Sequence, residues 1–396
     1  MNRNAGPGPR RSGRGAEPLA SPLISPLRFL EYLKLIRFYQ AFLVGTMPVL
    51  GAMAAGVHSA STLGLLFLTG ILFHFSSATM NDIMDVEEDK RSGVLSSHPL
   101  AMGTIPMRHA YFIAMFFLLT SALVVVLVSG GSPLAVIFFF LATGFVAVYN
   151  ILGKKIPGSE FLLSLGYLSL TLFGAGEGGF ERFPLVVVVS VAMACHTLLF
   201  LTVFSGVWET GFERTTERVV LAELFGARRR GNRFYSSTVF FVYSFSLETI
   251  LFLSLFMPFV FSLVEYHRFQ AVSVFLLFTG TLIYSYRMLS SRIYDDCTIA
   301  RASVVYYISV GLCFPIVFIE DNPLSIPLLF VPFIELWLSR LILSTHALAP
   351  PISTKYTLKH ARALPGNTPM LRKQDGGWGS GDVEQKNTQM TAHRRR

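Results

Sequence analysis

The chain has 396 residues, of which 52% are hydrophobic and 14% charged, against the quarter that is usual for soluble domains. One soluble core of this length cannot hide so much apolar surface, which argues against a greasy soluble helical protein. The formal charge of +9 gathers in the two tails and in alternate loops. That distribution fits membrane orientation by positive charge and speaks against a nucleic-acid footprint.

Residues 1–26 are rich in Gly, Pro, Ser and Arg and contain one acid, Glu17. They read as a disordered basic tail. The basic start is not followed by the hydrophobic stretch of a signal peptide, so no cleavage is expected there. From Leu27 to Arg37 apolar and charged positions alternate at helical spacing, which predicts an amphipathic helix lying at the membrane interface. Apolar stretches then fall at roughly 38–57, 61–80, 110–130, 133–150, 160–178, 184–206, 237–264, 268–288, 303–320 and 325–345, each near the ~20 residues that cross a ~30 Å hydrocarbon slab.

The loops after the second, fourth, sixth and eighth stretches carry the cations: Lys90, Arg91 and Arg108; Lys154 and Lys155; Arg214 through Arg233; Arg292 and Arg301. By the positive-inside rule these loops and the N-terminus are cytosolic. Ten spans also put the basic tail inside, whereas nine put it outside, so about nine to ten spans are expected, with charge favouring ten. The chain thus divides into a tail over 1–26, a transmembrane domain over 27–345 and a second basic, disordered tail over 346–396. Cys195, Cys297 and Cys313 have no motif spacing and read as packing residues.

The chemistry concentrates at two places. In Asn81-Asp82-Ile83-Met84-Asp85-Val86-Glu87-Glu88-Asp89-Lys90, directly after the second stretch, Asn81, Asp85 and Asp89 share one helix face. Like charges at i, i+4 repel, so a stripe of this kind at a membrane boundary suggests a bound cation. Mg²⁺ needs only one or two carboxylates, waters and phosphate oxygens. The plainer reading is a solvated acidic helix end. After the sixth stretch Ser205, Glu209, Glu213 and Glu217 repeat every four residues. Four spans separate the two stripes, so both lie on the same side, although Arg214 and Arg218 would equally suit a salt-bridged surface helix. Among intramembrane residues, Glu248 and Glu335 are functional hypotheses by default, with hydrogen bonding to a neighbouring helix as the alternative. His74 and His196 read as packing residues, and Gly174 through Gly178 as a helix end.

These residues resemble the motifs of the UbiA-type intramembrane prenyltransferases. The family's first motif, Asn-Asp-x-x-Asp-x-x-x-Asp, is matched at every specified position by residues 81–89. His98-Pro99-Leu100-Ala101-Met102-Gly103 is similar to the family's Arg-Pro-Leu-x-x-Gly, with His in place of Arg. Tyr149, Lys154, Lys155, Pro157 and Gly158 resemble its Tyr, then Lys-Arg-x-Pro, segment. The second motif, Asn-x-x-x-Asp-x-x-x-Asp, appears here as Ser205, Glu209 and Glu213. The resemblance covers about residues 30–320.

It implies an all-α bundle of two related four-helix units plus extra helices. The implied reaction is Mg²⁺-dependent transfer of a prenyl group from an isoprenyl diphosphate to an aromatic or lipid acceptor within the membrane. Asn81, Asp85 and Asp89 would hold one Mg²⁺, and Glu209 and Glu213 a second. Lys90, Arg91, Lys154, Lys155 and Arg214 would meet the diphosphate, and Tyr149 would face the allylic cation. Asp85, Asp89 and Tyr149 are then the catalytic residues. Glu at motif two sets the carboxylate about a bond length further out than Asp, where Mg²⁺ demands tight octahedral geometry, and Ser205 removes an amide. Two rivals follow: a non-catalytic isoprenoid-binding relative, and a cation-coupled transporter, which would place its carboxylates near the bilayer midplane.

Overall fold

The structure, a computed structural model, describes residues 26–92, 98–130, 132–153, 156–210, 220–230, 233–293 and 295–343. In chain order the first half comprises α1 (Pro26–Leu35), a 3₁₀ turn (Phe38–Gln40), α2 (Ala41–Ala54), α3 (Ala60–Ser92), α4 (Met107–Val128), α5 (Pro133–Leu152) and α6 (Glu160–Ala175). α7 (Phe183–Leu199) runs through a π-helical turn (Phe200–Ser205) into α8 (Gly206–Glu209). After α9 (Leu221–Leu224) and a hairpin of β1 (Arg228–Arg230) and β2 (Arg233–Tyr235) come α10 (Thr238–Val260), α11 (Arg268–Ser290), α12 (Asp296–Phe318), a 3₁₀ stretch (Pro323–Phe330) and α13 (Val331–Leu343).

Among the described residues eight helices are long and apolar enough to cross a membrane, or nine if the α1–α2 pair, bent by 41°, counts as one span. α6 has 16 residues, about 24 Å of helix, which falls short of a ~30 Å slab. Each of the ten apolar stretches contains one of these helices. The main departures are at the ends. α3 continues to Ser92, well past the expected end near 80, and α12 starts at Asp296. The early start of α12 has a local cause. Asp295 accepts hydrogen bonds from the backbone N–H of Cys297 and Thr298 and from the Thr298 hydroxyl, an N-cap. These bonds, the Thr298 hydroxyl first, hold the Asp295 carboxyl below the ordinary carboxylate range.

α2 is the central helix, buried along nearly its whole length, and α3, α6, α7, α12 and α13 pack around it. With lipid on the outside there is little hydrophobic force between helices, so small residues and close contact hold them together. A Cβ on Gly51 would overlap the Thr171 carbonyl, and one on Gly174 would overlap the Pro48 carbonyl. The α2–α6 crossing therefore requires glycine on both sides. α4 is the opposite case: Phe112, Phe116, Leu119, Leu123 and Val126 are all exposed, forming an outer face suited to lipid.

The overhang of α3 has its own small core. Ile83 and Val86 pack with Leu35 of α1, Leu100, Ile105, Ala110 and Ala114. The acidic stripe is thus carried on a rod whose apolar face is anchored, and α1 is part of that anchor. At the opposite end of the bundle Arg182 pairs with Asp321 at 2.7 Å, and the Asn322 side chain donates to the Val57 carbonyl at 2.8 Å. These contacts tie the α6–α7 and α12–α13 connections over the end of α2.

Candidate functional site

A cavity of about 310 Å³ opens among α2, α3, α5, α6, α7, α12 and α13. Its wall includes Asn81 from the first acidic stripe, Ser205 and Glu209 from the second, and Tyr149 from α5. Two stretches more than 120 residues apart therefore meet at one chamber. The carboxylates of Glu209, Glu160 and Asp85 all lie close enough to act electrostatically on the Tyr149 hydroxyl. Val44, Met47, Leu163, Phe200 and Leu201 form an apolar floor, and the polar His74, His196, Tyr307 and Glu335 share the same wall.

The first stripe is held in place by a residue the sequence did not single out for this role. Arg37 sits between α1 and α2 with left-handed backbone angles, φ 46° and ψ 48°, a conformation that costs a non-glycine residue energy. From there its guanidinium pairs with Asp82 and donates to Asn81 Oδ1 at 3.1 Å. Asp82 is buried, so its charge is matched by Arg37 and is not spare for a metal. Asn81 in turn donates from Nδ2 to Asp85 at 3.4 Å. Asp89 is buried and stands 3.5 Å from His98 Nδ1, so the histidine at the family's Arg position faces the last acid of the stripe. Lys90 pairs with Glu87 at 2.9 Å on the exposed side of α3, a surface pair of small energetic weight. Asn150, next to Tyr149, donates to the Ser77 carbonyl at 3.2 Å, which clamps α5 to α3 at the level of the site.

The second stripe comes off the π turn. π turns are rare and cluster at functional sites, and this one sets the direction in which α8 leaves. Ser205 donates to Glu209 Oε1 at 3.3 Å. Where the family motif has Asn, this chain has a hydroxyl that orients the longer Glu side chain. Glu160, at the start of α6, accepts from the Leu221 backbone N–H at 3.1 Å and so anchors α9 near the same end. Lys154, Lys155, Glu213 and Arg214 lie outside the described residues, as does the Arg91 side chain. His74 and His196 both line the cavity, and His196 Nδ1 also shares a 2.8 Å hydrogen bond with the Tyr306 hydroxyl. Glu248 is fully buried on α10 and is not part of this wall, whereas Glu335 is part of it.

Among the described residues no group of three His, Cys, Asp or Glu side chains forms a ready-made metal cage. The donors present are oxygens split between two helices, namely Asn81 and Asp85 on α3 and Glu209 on α8. That arrangement suits Mg²⁺, which keeps waters and takes phosphate oxygens of a substrate in place of a full protein cage.

The geometry defines a class: an all-α membrane protein in which two acidic helix ends face one another across a cavity with an apolar floor. A family model described as the UbiA prenyltransferase family matches residues 42–310, and the chain belongs to that family. Similar solved structures share the fold at low identity. A digeranylgeranylglyceryl phosphate synthase is 16% identical with a TM-score of 0.55, over 75% of this chain and 99% of that one. A UbiA homolog from Archaeoglobus fulgidus bound to GPP and Mg²⁺ is 19% identical with a TM-score of 0.51, over 72% of this chain and 99% of that one. An apo UbiA homolog from Aeropyrum pernix K1 is 13% identical with a TM-score of 0.50, over 68% and 96%. Among curated proteins no significant match is found.

Proposed function

We propose that the chain transfers a prenyl group from an isoprenyl diphosphate to a hydrophobic or aromatic acceptor in the plane of the membrane, with Mg²⁺ as cofactor. The observation that carries this reading is the shared cavity, where Asn81 and Glu209, from two distant acidic stripes, flank Tyr149 above an apolar floor. The likeness to a homolog bound to GPP and Mg²⁺ supports it. In this reading Asn81, Asp85 and Asp89 hold one Mg²⁺, and Glu209 and Glu213 a second. Bound Mg²⁺ supplies positive charge to the departing diphosphate.

The chain's own groups do the rest. Arg37 fixes the Asn81 amide, and Ser205 fixes Glu209, so the oxygen donors are set before substrate arrives. Arg91, Lys154, Lys155 and Arg214 neutralise the leaving group as the allylic C–O bond breaks, whereas Lys90, expected from the sequence to join them, points to the exposed side of α3. The ring of Tyr149 faces the carbocation that remains, and the apolar floor houses the isoprenoid and excludes water that would quench it. The acidic end and the N-terminus lie on the cytosolic side, as the basic loops require. The reading makes the altered second motif a working Mg²⁺ site and the chain an enzyme, in place of a relic or a transporter.

The test uses the full-length protein in detergent with labelled farnesyl and geranylgeranyl diphosphates, a mixed acceptor panel, and Mg²⁺ or EDTA. Asp85→Asn and Glu209→Gln are each expected to lower turnover by a hundredfold or more, the scale of a lost charge-stabilising group. Diphosphate binding that ignores EDTA, or full turnover by Glu209→Gln, would overturn the assignment of the second motif.

A further inference from the structure

Two polar atoms of residues that line the cavity have no partner among the described residues. They are His74 Nδ1 and Tyr307 Oη, and both are buried. The protonation of His74 follows from its neighbour. Its Nε2 is 3.3 Å from the Arg37 carbonyl oxygen, which can only accept. Nε2 therefore carries the hydrogen, and Nδ1 of the neutral ring is a bare acceptor. Tyr307 Oη can both donate and accept.

A third group on the same wall is the Glu335 carboxyl, 3% exposed. Its Oε1 accepts from the Leu43 N–H at 2.7 Å, in the first turn of α2. Glu335 belongs to α13, which lies beyond the family-matched residues 42–310. The wall also has one guanidinium and no lysine among the described residues: Arg37, which is engaged by Asp82 and Asn81.

We propose that His74, Tyr307 and Glu335 form the subsite for the head of the acceptor, and that this head is an uncharged hydroxyl, phenolic or alcoholic, with no carboxylate or phosphate beside it. The assignment rests on the prenyl-transfer reading above and names its second substrate class. A hydroxyl carries both functions these atoms call for, a hydrogen to donate to His74 Nδ1 and lone pairs to accept from Tyr307 Oη. Sites built to hydrogen-bond a hydroxyl reject analogues that leave buried groups unpaired. An anionic head would find the one guanidinium on the described wall already paired.

The experiment measures equilibrium binding of tail-matched probes to full-length protein in detergent, with and without Mg²⁺ and a thiolo analogue of geranylgeranyl diphosphate. The probes are 4-nonylphenol, its methyl ether, 4-nonylbenzoate and 1-O-decylglycerol. The phenol or the glycerol ether should bind about five- to tenfold tighter than the methyl ether, the scale of one good hydrogen bond, and the benzoate weakest. Tyr307→Phe should bring the phenol-to-ether ratio to within about twofold. Glu335→Gln, which keeps an oxygen for Leu43, should preserve the order of phenol over benzoate.

Neither change should alter the affinity for the diphosphate analogue. Preference for the benzoate, a phenol-to-ether ratio unmoved in Tyr307→Phe, or no probe binding at all would overturn the subsite. So would a parallel loss of diphosphate affinity in the variants, which would mark these residues as structural. Failure of the wild type to bind the diphosphate analogue with Mg²⁺ would instead strike the prenyl-transfer reading, because the probes are also measured without it.

Discussion

Replacing Arg37 by Met isolates the contact that organises the first acidic stripe. Met keeps most of the apolar stem, so packing is largely preserved while the charge is lost. Asp82, 4% exposed on its side chain, would then be a buried carboxylate without a counterion, while Arg37 itself is 29% exposed. Breaking a fully buried pair costs about 3–5 kcal/mol; with one partner a third exposed, about 2–3 kcal/mol is expected. The lost bond to Asn81 adds roughly 1 kcal/mol. Adding Asp82→Asn to Arg37→Met removes the stranded charge and should recover about 1–2 kcal/mol of that loss. The assay is reversible unfolding in mixed micelles for wild type, both single variants and the double variant. Additive single-variant costs, or a loss below about 0.5 kcal/mol for Arg37→Met as for an exposed pair, would refute the claim that this ion pair is structural.

Ser205→Ala should leave the fold intact but free Glu209 to swing, raising the Mg²⁺ concentration needed for half-maximal diphosphate binding by about three- to tenfold. A titration with an unchanged midpoint would show that Ser205 does not orient Glu209. Gly174→Ala places a methyl group against the Pro48 carbonyl and should cost about 1–3 kcal/mol in the same unfolding assay, more than Gly144→Ala, whose added Cβ meets nothing within 4 Å. Asp295→Ala should cost about 1 kcal/mol near pH 7 through loss of the α12 cap. Because the folded-state carboxyl titrates below its ordinary value of about 3.9, that contribution is present above this value and fades as pH falls through the lowered one. The gap between wild type and Asp295→Ala should therefore be constant from pH 7 to 5 and narrow towards pH 3.

Much of this was legible in the sequence because membranes impose simple rules. Apolar runs of spanning length located the helices, and the i, i+4 spacing of Asn81, Asp85 and Asp89 placed them on one stripe. What the sequence did not show was mostly contact across distant segments. Arg37 looked like the end of an amphipathic helix; only the fold reveals that a left-handed kink swings it onto Asp82. Glu335 and Tyr307 sit in apolar stretches with no motif around them, and their arrival at the cavity depends on how α12 and α13 pack. The overhang of α3 was partly readable, since Ile83 and Val86 recur at helical spacing through the charged run. The β1–β2 hairpin was hidden inside a basic loop, although Gly-Asn between Arg230 and Arg233 is a recognisable two-residue turn signal.

The π turn at Phe200–Ser205 gives the helix that contains it two independent angular settings. Accommodating one residue more than an α-helical turn advances everything after it by roughly 100° relative to an unbroken helix. The half before the turn can therefore keep Val189, Ala192 and Met193 in the buried core, while the half after it aims Ser205 and Glu209 at the chamber. Closing the turn to α geometry at unchanged chain length would leave the packing phase of the first half untouched and rotate the carboxylate out of reach. In this chain, the reach of Glu209 depends on the wide turn upstream keeping its hydrogen-bond pattern as much as on which acid occupies the position.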